Sequence, residues 1–464
     1  MPFSLPDVVV IQGRVKPVVA KPAMSGLSPA SAAVASPDAA SPPQDALSGA
    51  SPPDGAREDQ SRAISRHAAA LSQQLRAMSE AMFPPSSTKA LRRFTSGEAA
   101  RWIGVSDSRL RQLGLAGEGP QPATGPGGRR LYTLSEINAL RHVLAASAKG
   151  GELGRDARAY LPRRQPGDKL QVVAVTNFKG GSGKTTTAAH LAQYLALRGY
   201  RVLAVDLDPQ ASLSALFGVM PEWQVRANET LYAALRYDEE RRPLSDVIRK
   251  TYIEGLDLVP ANLELMEFEH ETPRMLARGR AARQDLFYAR VAEALDGVEA
   301  QYDVVVLDCP PQLGFLTLAA LCAATGVIVT VHPQMLDVAS MSQFLLMTDD
   351  LLEVVREAGG DLSFDFYRYL VTRHEPQDGP QTKVVALLRN LFGDHVLTSP
   401  MLKSAAIADA GLTKQTLYEI GREAMTRQTY DRASEALDHV NVEIERLLLA
   451  VWGRDAGHLG GAAR

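Results

Sequence analysis

The sequence is poor in cysteine and in net charge, and it lacks a secretory leader. Its two cysteines, Cys309 and Cys322, are too few for a disulfide framework or a four-thiolate metal site, and they are typical of a reducing, cytoplasmic interior. The first ten residues have no basic stretch followed by a long apolar run, so we expect no secretory signal. The ordinary composition excludes collagen, coiled-coil rods and wholly disordered chains.

One stretch, residues 309–336, contains no Asp, Glu, Lys or Arg and raises the question of a membrane span. Pro310, Pro311, Gly314 and Gly326 interrupt it, and a Val-rich run follows Gly326. These interruptions predict a buried helix followed by a buried strand of a parallel sheet, and therefore no membrane partner.

The net charge of −3 conceals an uneven distribution. Residues 57–150 hold 14 Lys and Arg against 7 Asp and Glu, a local charge of +7, which leaves −10 for the remainder. A basic segment joined to an acidic remainder indicates nucleic acid as a partner at one end of the chain.

The N-terminal part divides into a tail and a helix. In residues 22–56, 27 of 35 residues are Pro, Ala, Ser or Gly, which predicts a disordered tail over 1–56. Residues 57–85 predict an amphipathic helix, since apolar residues recur at steps of three and four until Pro84 and Pro85 end it. Its stripe either packs on the following domain or forms a dimerisation seam, and the pattern leaves both open. The stripe comprises Ile64, Ala68, Leu71, Leu75, Met78 and Met82.

Residues 86–160 predict a small winged helix-turn-helix domain that binds DNA. Thr95 and Glu98 fit a capping box, Gly104 permits a tight turn, and Ser106 can cap a second helix. The second helix would enter the major groove, and a hairpin over residues 127–132 would form the wing. This stretch resembles the DNA-binding domain of MerR-type regulators. The candidate DNA contacts are Arg109, Arg111 and Gln112 on the helix and Arg129 and Arg130 on the wing.

Residues 168–455 predict an α/β domain, followed by a flexible tail over 456–464. Apolar runs alternate with helical segments, which predicts a doubly wound, mostly parallel sheet with helices on both faces. The predicted strands are Val172–Thr176, Val202–Asp206, Leu256–Pro260, Val304–Asp308 and Val327–His332, and the first predicted helix is Lys184–Arg198.

A phosphate-binding loop lies between the first predicted strand and this helix. Its sequence is Lys179-Gly180-Gly181-Ser182-Gly183-Lys184-Thr185-Thr186. The glycines let backbone N–H groups converge on phosphate oxygens, and the helix adds the positive end of its dipole. In this pattern Lys184 reaches the β- and γ-phosphates, the Thr185 hydroxyl ligates Mg²⁺, and Thr186 is placed for the α-phosphate. The loop therefore predicts a bound nucleotide with Mg²⁺.

The loop departs from the common form, which has glycine where this chain has Phe178, and it carries the additional Lys179. A lysine at this position cannot easily fold back onto the same phosphates, so it is available to another subunit. Two strand ends add carboxylates: Asp206 and Asp208 after one strand, and Asp308 after another. The carboxyl-terminal edge of the sheet is where α/β folds bind ligands.

These motifs resemble those of the ParA/MinD class of ATPases, which implies ATP with Mg²⁺ as the cofactors. The N-terminal DNA-binding domain and the segments ALFGVMPEWQV (215–225) and ANLELMEFEHETPR (261–274) resemble the RepA partition ATPases of RepABC-type plasmids. The resemblance implies that Lys179 reaches the partner's phosphates across a nucleotide-sandwich homodimer and that Lys184 acts within its own subunit. It implies that Asp208 positions the attacking water, that Asp206 supports the metal and switch network, and that Asp308 holds Mg²⁺ through water.

The resemblance also implies the biological setting. It predicts a cytoplasmic, nucleoid-associated protein that segregates plasmid copies with a ParB/RepB-like centromere-binding partner and represses its own operon by binding operator DNA. A nonspecific DNA surface would include Lys403. Two relatives of the class fit less well, because the last helix is acidic rather than basic, unlike a membrane-binding ATPase, and Cys309 and Cys322 do not suit an iron–sulfur bridge. A transcription factor that only senses nucleotide is the remaining alternative.

Overall fold

The computed structural model describes residues 54–82, 89–148, 157–278, 286–357, 359 and 362–456, and it divides into two units, residues 1–74 and 75–464. The described part of the first unit is helical and belongs to α1 (Asp54–Met82), which continues into the second unit. Ile64 and Leu71 of the predicted stripe are 74% and 61% exposed. The dimerisation seam therefore stays a prediction. The predicted tail up to residue 53, the end of the helix at Pro84 and Pro85, and the C-terminal tail from residue 457 lie outside the described residues.

A small subdomain follows α1 along the chain in the second unit. Thr95 and Glu98 form the predicted capping box, Ser106 accepts a hydrogen bond from the Arg109 amide, and Gly104 adopts a φ of 81° at the turn between the two helices. The predicted capping box, turn glycine and second helix cap are thus present, whereas the winged helix-turn-helix and its DNA binding stay predictions. Its elements are β1 (Phe94–Thr95), α2 (Ser96–Ile103), α3 (Asp107–Leu115), β2 (Ala123–Thr124), β3 (Arg130–Tyr132) and α4 (Leu134–Ser147), and the three strands form an antiparallel sheet.

The rest of the unit is built on a seven-stranded sheet. Its strands are β4 (Gln171–Thr176), β5 (Val202–Asp206), β6 (Arg249–Lys250), β7 (Leu256–Val259), β8 (Val304–Asp308), β9 (Gly326–Val331) and β10 (Phe366–Val371). They lie in the order β10-β9-β4-β8-β5-β7-β6, and all pairs are parallel except β6 with β7. The predicted mostly parallel sheet is confirmed.

Helices cover both faces of this sheet. They are α5 (Lys184–Arg198), α6 (Ser212–Leu216), α7 (Pro221–Gln224), α8 (Tyr232–Leu235), α9 (Met266–Ala277), α10 (Arg290–Asp296), α11 (Phe315–Ala323), α12 (Met335–Glu357), α13 (Gly379–Phe392), α14 (Ala405–Leu412) and α15 (Arg427–Val451). Alternate strand residues enter two separate apolar layers, Val173 and Val175 with α5 and α15 on one face, Val172 and Ala174 with α11 on the other. This alternation is what a two-sided parallel sheet requires.

The uncharged stretch at residues 309–336 is folded as predicted. Helix α11 and strand β9 lie within it, and both are largely buried. In the part of the chain that the structure describes, no helix combines the length and the apolar character needed to cross a bilayer.

The small subdomain packs against the C-terminal end of α5. Trp102 makes edge-on ring contacts with Tyr194 and Tyr418, with centroids 5.8 and 5.6 Å apart. The guanidinium of Arg141, which is 1% exposed, donates to the carbonyl oxygens of Trp102 and Leu197, each at 2.7 Å. These carbonyls lie at the C-terminal ends of α2 and α5, so one buried cation joins two helix ends.

Candidate nucleotide-binding site

The phosphate loop connects β4 to α5 at the carboxyl-terminal edge of the sheet. Gly181 and Gly183 have φ values of 76° and 91°, a region that side chains with a Cβ rarely adopt. A Cβ at Gly183 would lie 3.4 Å from Thr372, so this part of the loop packs against the end of β10. Gly180 and Gly181 are exposed, whereas Ser182 is buried. The backbone therefore bends back on itself at the N-terminus of α5, as phosphate binding requires.

Neighbouring strands hold this loop in shape. Asn177 accepts a hydrogen bond from the Lys179 amide at 2.9 Å, and the Ser182 hydroxyl bonds Thr330 of β9, also at 2.9 Å. At the end of β10, Thr372 donates to the Ser182 carbonyl at 2.6 Å and Arg373 donates to the Gly181 carbonyl at 3.1 Å. Two strands on one side of β4 thus preorganise the loop.

Lys184 begins α5 and points into the loop. It is 6% exposed, and its Nζ donates to the Lys179 carbonyl at 3.1 Å. Burial lowers its pKa, and the nearby carboxylate of Asp308 partly opposes that shift. The ammonium therefore lies inside the curve of the loop, where phosphate oxygens would meet it.

The carboxylate of Asp308 is buried and unsatisfied. Asp308 is 0% exposed, and neither of its oxygens has a hydrogen-bond partner among the described residues. Burial, followed by repulsion from Asp206, raises its pKa well above the usual range for an aspartate. A buried carboxylate beside the Thr185 hydroxyl and the Lys184 ammonium suits a divalent cation or the water around one.

In the parallel pair of β5 and β8, Asp206 lies opposite Asp308. The carboxylate of Asp206 is nevertheless held by residues that follow it in the chain. Its carboxylate accepts hydrogen bonds from the Asp208 amide at 3.2 Å and from the Ser214 amide and hydroxyl at 2.8 and 2.7 Å. Burial raises the pKa of Asp206 to about 7 despite these bonds. Asp208 is half-buried, and its carboxylate accepts from the Gln210 amide at 2.9 Å. The segment that carries Asp208 is therefore tied to the β5 end through Asp206.

Lys179 points away from the centre of its own loop. Its side chain is 42% exposed, and its ammonium forms an ion pair with Asp337 in the first turn of α12. The other oxygen of Asp337 accepts from His332 Nδ1 at 3.0 Å. Phe178, which replaces the usual glycine, stacks on Phe344 of α12 with ring centroids 5.3 Å apart. Phe178 and Lys179, the two residues that depart from the common loop sequence, thus connect the loop to α12.

These residues fit a nucleoside triphosphate with Mg²⁺. The loop amides and Lys184 match phosphate oxygens, and Thr185 with the unsatisfied Asp308 matches a hard cation. Cys309, immediately after Asp308, is fully buried, and burial raises its pKa to about 12, in agreement with a packed thiol rather than a nucleophile.

The candidate DNA-contact residues fall in two places. Arg111, Gln112 and Arg129 are exposed in the small subdomain, with Arg109 and Arg130 half-buried. Arg111 forms an i,i+4 ion pair with Asp107 at 3.1 Å, and the Arg130 guanidinium lies against Gly114 of α3. Lys403 lies instead near the end of β10, where it pairs with Glu375 at 3.0 Å.

Sequence reasoning missed several residues that shape the site. Those that contact the loop or the aspartates but were not predicted are Asn177, Ser214, Thr330, Asp337, Thr372 and Arg373. Four of these six follow or end a strand at the same sheet edge, which is the one local signal that could have found them. Arg373 also has a left-handed φ of 53°, which is visible only in the structure.

The fold and the loop define a P-loop α/β domain. Comparison with known proteins agrees: an AAA domain model matches residues 170–358. A protein named replication protein A from Rhizobium rhizogenes is 56% identical over 393 residues, which cover 84% of this chain and 95% of that protein. Protein SopA of Escherichia coli K12 is 32% identical over 341 residues, covering 72% and 82% of the two chains.

Among solved structures, a cobyrinic acid a,c-diamide synthase from Mycobacterium smegmatis with a bound ATP analog and magnesium is 30% identical, with a TM-score of 0.43 over 53% of this chain and 91% of that one. The identities to the replication protein A and SopA relatives decide the family. This chain belongs to the ParA/MinD class of ATPases, within the replication protein A (RepA) family. The resemblance inferred from the motifs is confirmed.

Proposed function

We propose that the protein is a DNA-partitioning ATPase that forms an ATP-dependent dimer and segregates plasmid copies. One observation carries the proposal: a preorganised phosphate loop faces a buried, unpartnered Asp308, while a second loop lysine, Lys179, points away from the site. The names of relatives support the setting, since they include SopA and a chromosome partitioning protein ParA from Caulobacter vibrioides.

The chain's own residues would bind ATP and Mg²⁺ in distinct roles. Backbone amides of residues 179–186 and the Lys184 ammonium bind phosphate oxygens, and Thr185 and Asp308 (through water) hold Mg²⁺. The metal supplies charge neutralisation for the transferred phosphoryl group. Asp208 orients the attacking water, and Asp206 holds the Asp208 segment through Ser214. Because phosphoryl transfer depends mainly on positioning and charge, slow hydrolysis that awaits a trigger follows naturally.

The homodimer would complete the site. Lys179 is nearly half exposed and is not needed for the phosphates of its own subunit, because Lys184 already occupies the inside of the loop. In the dimer Lys179 reaches the partner's phosphates, so each subunit supplies one cation to the other's nucleotide. This arrangement makes dimer formation depend on ATP.

Two surfaces would bind DNA. The subdomain of α2, α3 and the β2–β3 hairpin has the plan of a winged helix-turn-helix, with α3 as the recognition helix. Arg109, Arg111 and Gln112 would contact operator DNA from α3, with Arg129 and Arg130 on the wing. The exposed Arg111–Asp107 pair is weak enough to open for a phosphate or a base. Lys403 would belong to the nonspecific surface.

Regulation would involve a ParB/RepB-like partner that stimulates hydrolysis and releases the dimer from nucleoid DNA, and operator binding would repress the protein's own operon. The buried contacts of Arg141 and Trp102 support a functional connection between the DNA-binding subdomain and the phosphate loop. They attach the subdomain to α5, the helix that begins at Lys184.

ATP hydrolysis tests the proposal most simply. Turnover is measured for the wild type alone, with nonspecific DNA, with the centromere-binding partner and with both, and then for Asp208→Ala. We expect slow basal turnover, a rise with DNA and partner together, and none in Asp208→Ala. Absence of hydrolysis in the wild type under every condition would favour the nucleotide-sensing transcription factor instead.

A further inference from the structure

Arg373, just after β10, has a backbone conformation that glycine would adopt at lower cost. Its φ of 53° lies in the left-handed region, where the Cβ of an L-residue crowds the following carbonyl oxygen. The neighbouring residues keep this angle from relaxing, because the Thr372 amide donates to the Val331 carbonyl at 2.8 Å and the His374 amide donates to the Met401 carbonyl at 3.1 Å. Backbone strain that persists in this way is typical of functional sites. The side chain of Arg373 is therefore expected to have a function that glycine could not provide.

The guanidinium of Arg373 contacts the phosphate loop. Its Nη1 donates to the Gly181 carbonyl at 3.1 Å and would lie 3.7 Å from a Cβ at Gly181. A Cβ at Gly180 would have no atom of the described residues within 4 Å. No carboxylate in the part of the chain that the structure describes forms an ion pair with Arg373. The guanidinium is therefore the group that restrains the exposed tip of the loop at Gly181.

A bond to a carbonyl also fixes the amide of the same peptide. A trans peptide is planar, and its C=O and N–H point in opposite directions. The bond from Arg373 to the Gly181 carbonyl therefore turns the Ser182 amide away from β10, and the bond from Thr372 to the Ser182 carbonyl does the same for the Gly183 amide. Within the described residues, neither amide has a hydrogen-bond acceptor. Two free donors on the same side of a loop suit phosphate oxygens.

The charge of the guanidinium adds to this effect. A cation at the carbonyl polarises the peptide, so the amide of the same peptide donates a stronger hydrogen bond. We propose that Arg373 is a positioning residue of the nucleotide site, which acts through the Gly181–Ser182 peptide without contacting the nucleotide itself. This inference rests on the proposed binding of ATP phosphates by the loop amides.

Removal of the guanidinium should weaken the binding of ATP and ADP alike. Loop amides of this kind surround the α- and β-phosphates, which both nucleotides carry. Because the Arg373 side chain is exposed, its bond to the carbonyl should change either affinity by about three- to tenfold. A direct contact between the guanidinium and the γ-phosphate would instead change the affinity for ATP and leave that for ADP as it is.

The test compares Arg373→Ala and Arg373→Gly, which both lack the guanidinium but differ in backbone strain. Calorimetry with Mg²⁺ measures the affinity for ATP and for ADP, and urea unfolding measures the stability of the nucleotide-free chain. We expect both variants to bind both nucleotides about three- to tenfold more weakly than the wild type. Arg373→Gly should nevertheless have a folding equilibrium constant about fivefold larger than that of Arg373→Ala. The matched control is Arg389→Ala in α13, which removes an exposed guanidinium that donates to the Thr398 carbonyl at 2.9 Å and should leave both affinities unchanged.

Three results would overturn the role of Arg373. Unchanged affinities in both variants would show that the loop keeps its shape without the guanidinium. A loss confined to ATP would indicate direct contact with the γ-phosphate. Weak binding by Arg373→Ala together with wild-type binding by Arg373→Gly would show that affinity follows backbone strain and not the guanidinium. A wild-type chain that bound neither nucleotide would instead refute the proposed function itself.

Discussion

Acidification should destabilise the protein through His190, a buried histidine in α5. Its Nε2 accepts from the Leu417 amide at 3.1 Å and its Nδ1 bonds the Thr186 carbonyl at 2.7 Å, so the ring is neutral with its proton on Nδ1. Burial lowers its pKa from 6.5 to about 4. The unfolded chain therefore binds a proton below pH 6.5 that the folded chain does not accept until about pH 4.

The size of the effect follows from these two pKa values. The stability contributed by neutral His190 is fully present above pH 6.5 and is lost as the pH falls towards 4. Between pH 7.5 and 5 the loss amounts to about 2 kcal/mol, and it approaches about 3 kcal/mol near pH 4. Asp206 has a raised pKa and contributes with the opposite sign, so the wild-type curve alone does not isolate the histidine.

The assay compares urea unfolding at pH 7.5 and pH 5 for the wild type and His190→Gln, with His142→Gln, an exposed histidine, as the matched control. The variant should be less stable at pH 7.5, because it loses a buried hydrogen bond, and its stability should fall less on acidification, by about 2 kcal/mol. His142→Gln should follow the wild type. Equal acid-induced changes in the wild type and His190→Gln would refute the assignment of a neutral, proton-excluding His190.

Three further predictions concern the loop, the metal and the subdomain contact. Gly183→Ala should lose ATP affinity and destabilise the chain by at least about 1 kcal/mol, since φ is 91° and Thr372 lies 3.4 Å from the new Cβ. Gly180→Ala places its Cβ in open space, and calorimetry with ATP compares the two variants. Asp308→Asn should weaken Mg²⁺-dependent ATP binding about 10- to 100-fold without lowering the melting temperature of the nucleotide-free chain, because it removes an unpaired buried charge; an unchanged Mg²⁺ dependence would contradict the metal role. Arg141→Met should cost about 2 kcal/mol in urea unfolding, as the Leu197 carbonyl loses a charge-assisted hydrogen bond, and a change within experimental error would show that the contact is incidental.

Local sequence signals predicted the centre of the fold well. The bounds of β5, β8 and α5 match the predicted ones, because continuous apolar runs and a glycine-rich loop mark buried parallel strands and the helix after them. Strand β10 was not predicted, since Tyr367 and Arg368 are half-buried at the sheet edge and interrupt the apolar run.

Site residues that belong to short sequence motifs were predictable, whereas those contributed by distant parts of the chain were not. The loop, Asp206, Asp208 and Asp308 belong to recognisable motifs. Thr372 and Arg373 contact the loop from 190 and 192 residues away, and neither residue type signals that contact in its own neighbourhood. The ion pair of Lys179 likewise depends on how α12 packs, so a lysine predicted to be free is held by Asp337.

The ATP-driven DNA switch is tested most directly by binding to nonspecific DNA across a salt series, for the wild type, Lys179→Ala and Asp208→Ala. We expect tight, salt-sensitive binding with ATP in the wild type, loss of binding in Lys179→Ala, and binding without turnover in Asp208→Ala. Equal binding by all three proteins without nucleotide would contradict the switch, because DNA affinity would then come from the winged subdomain alone.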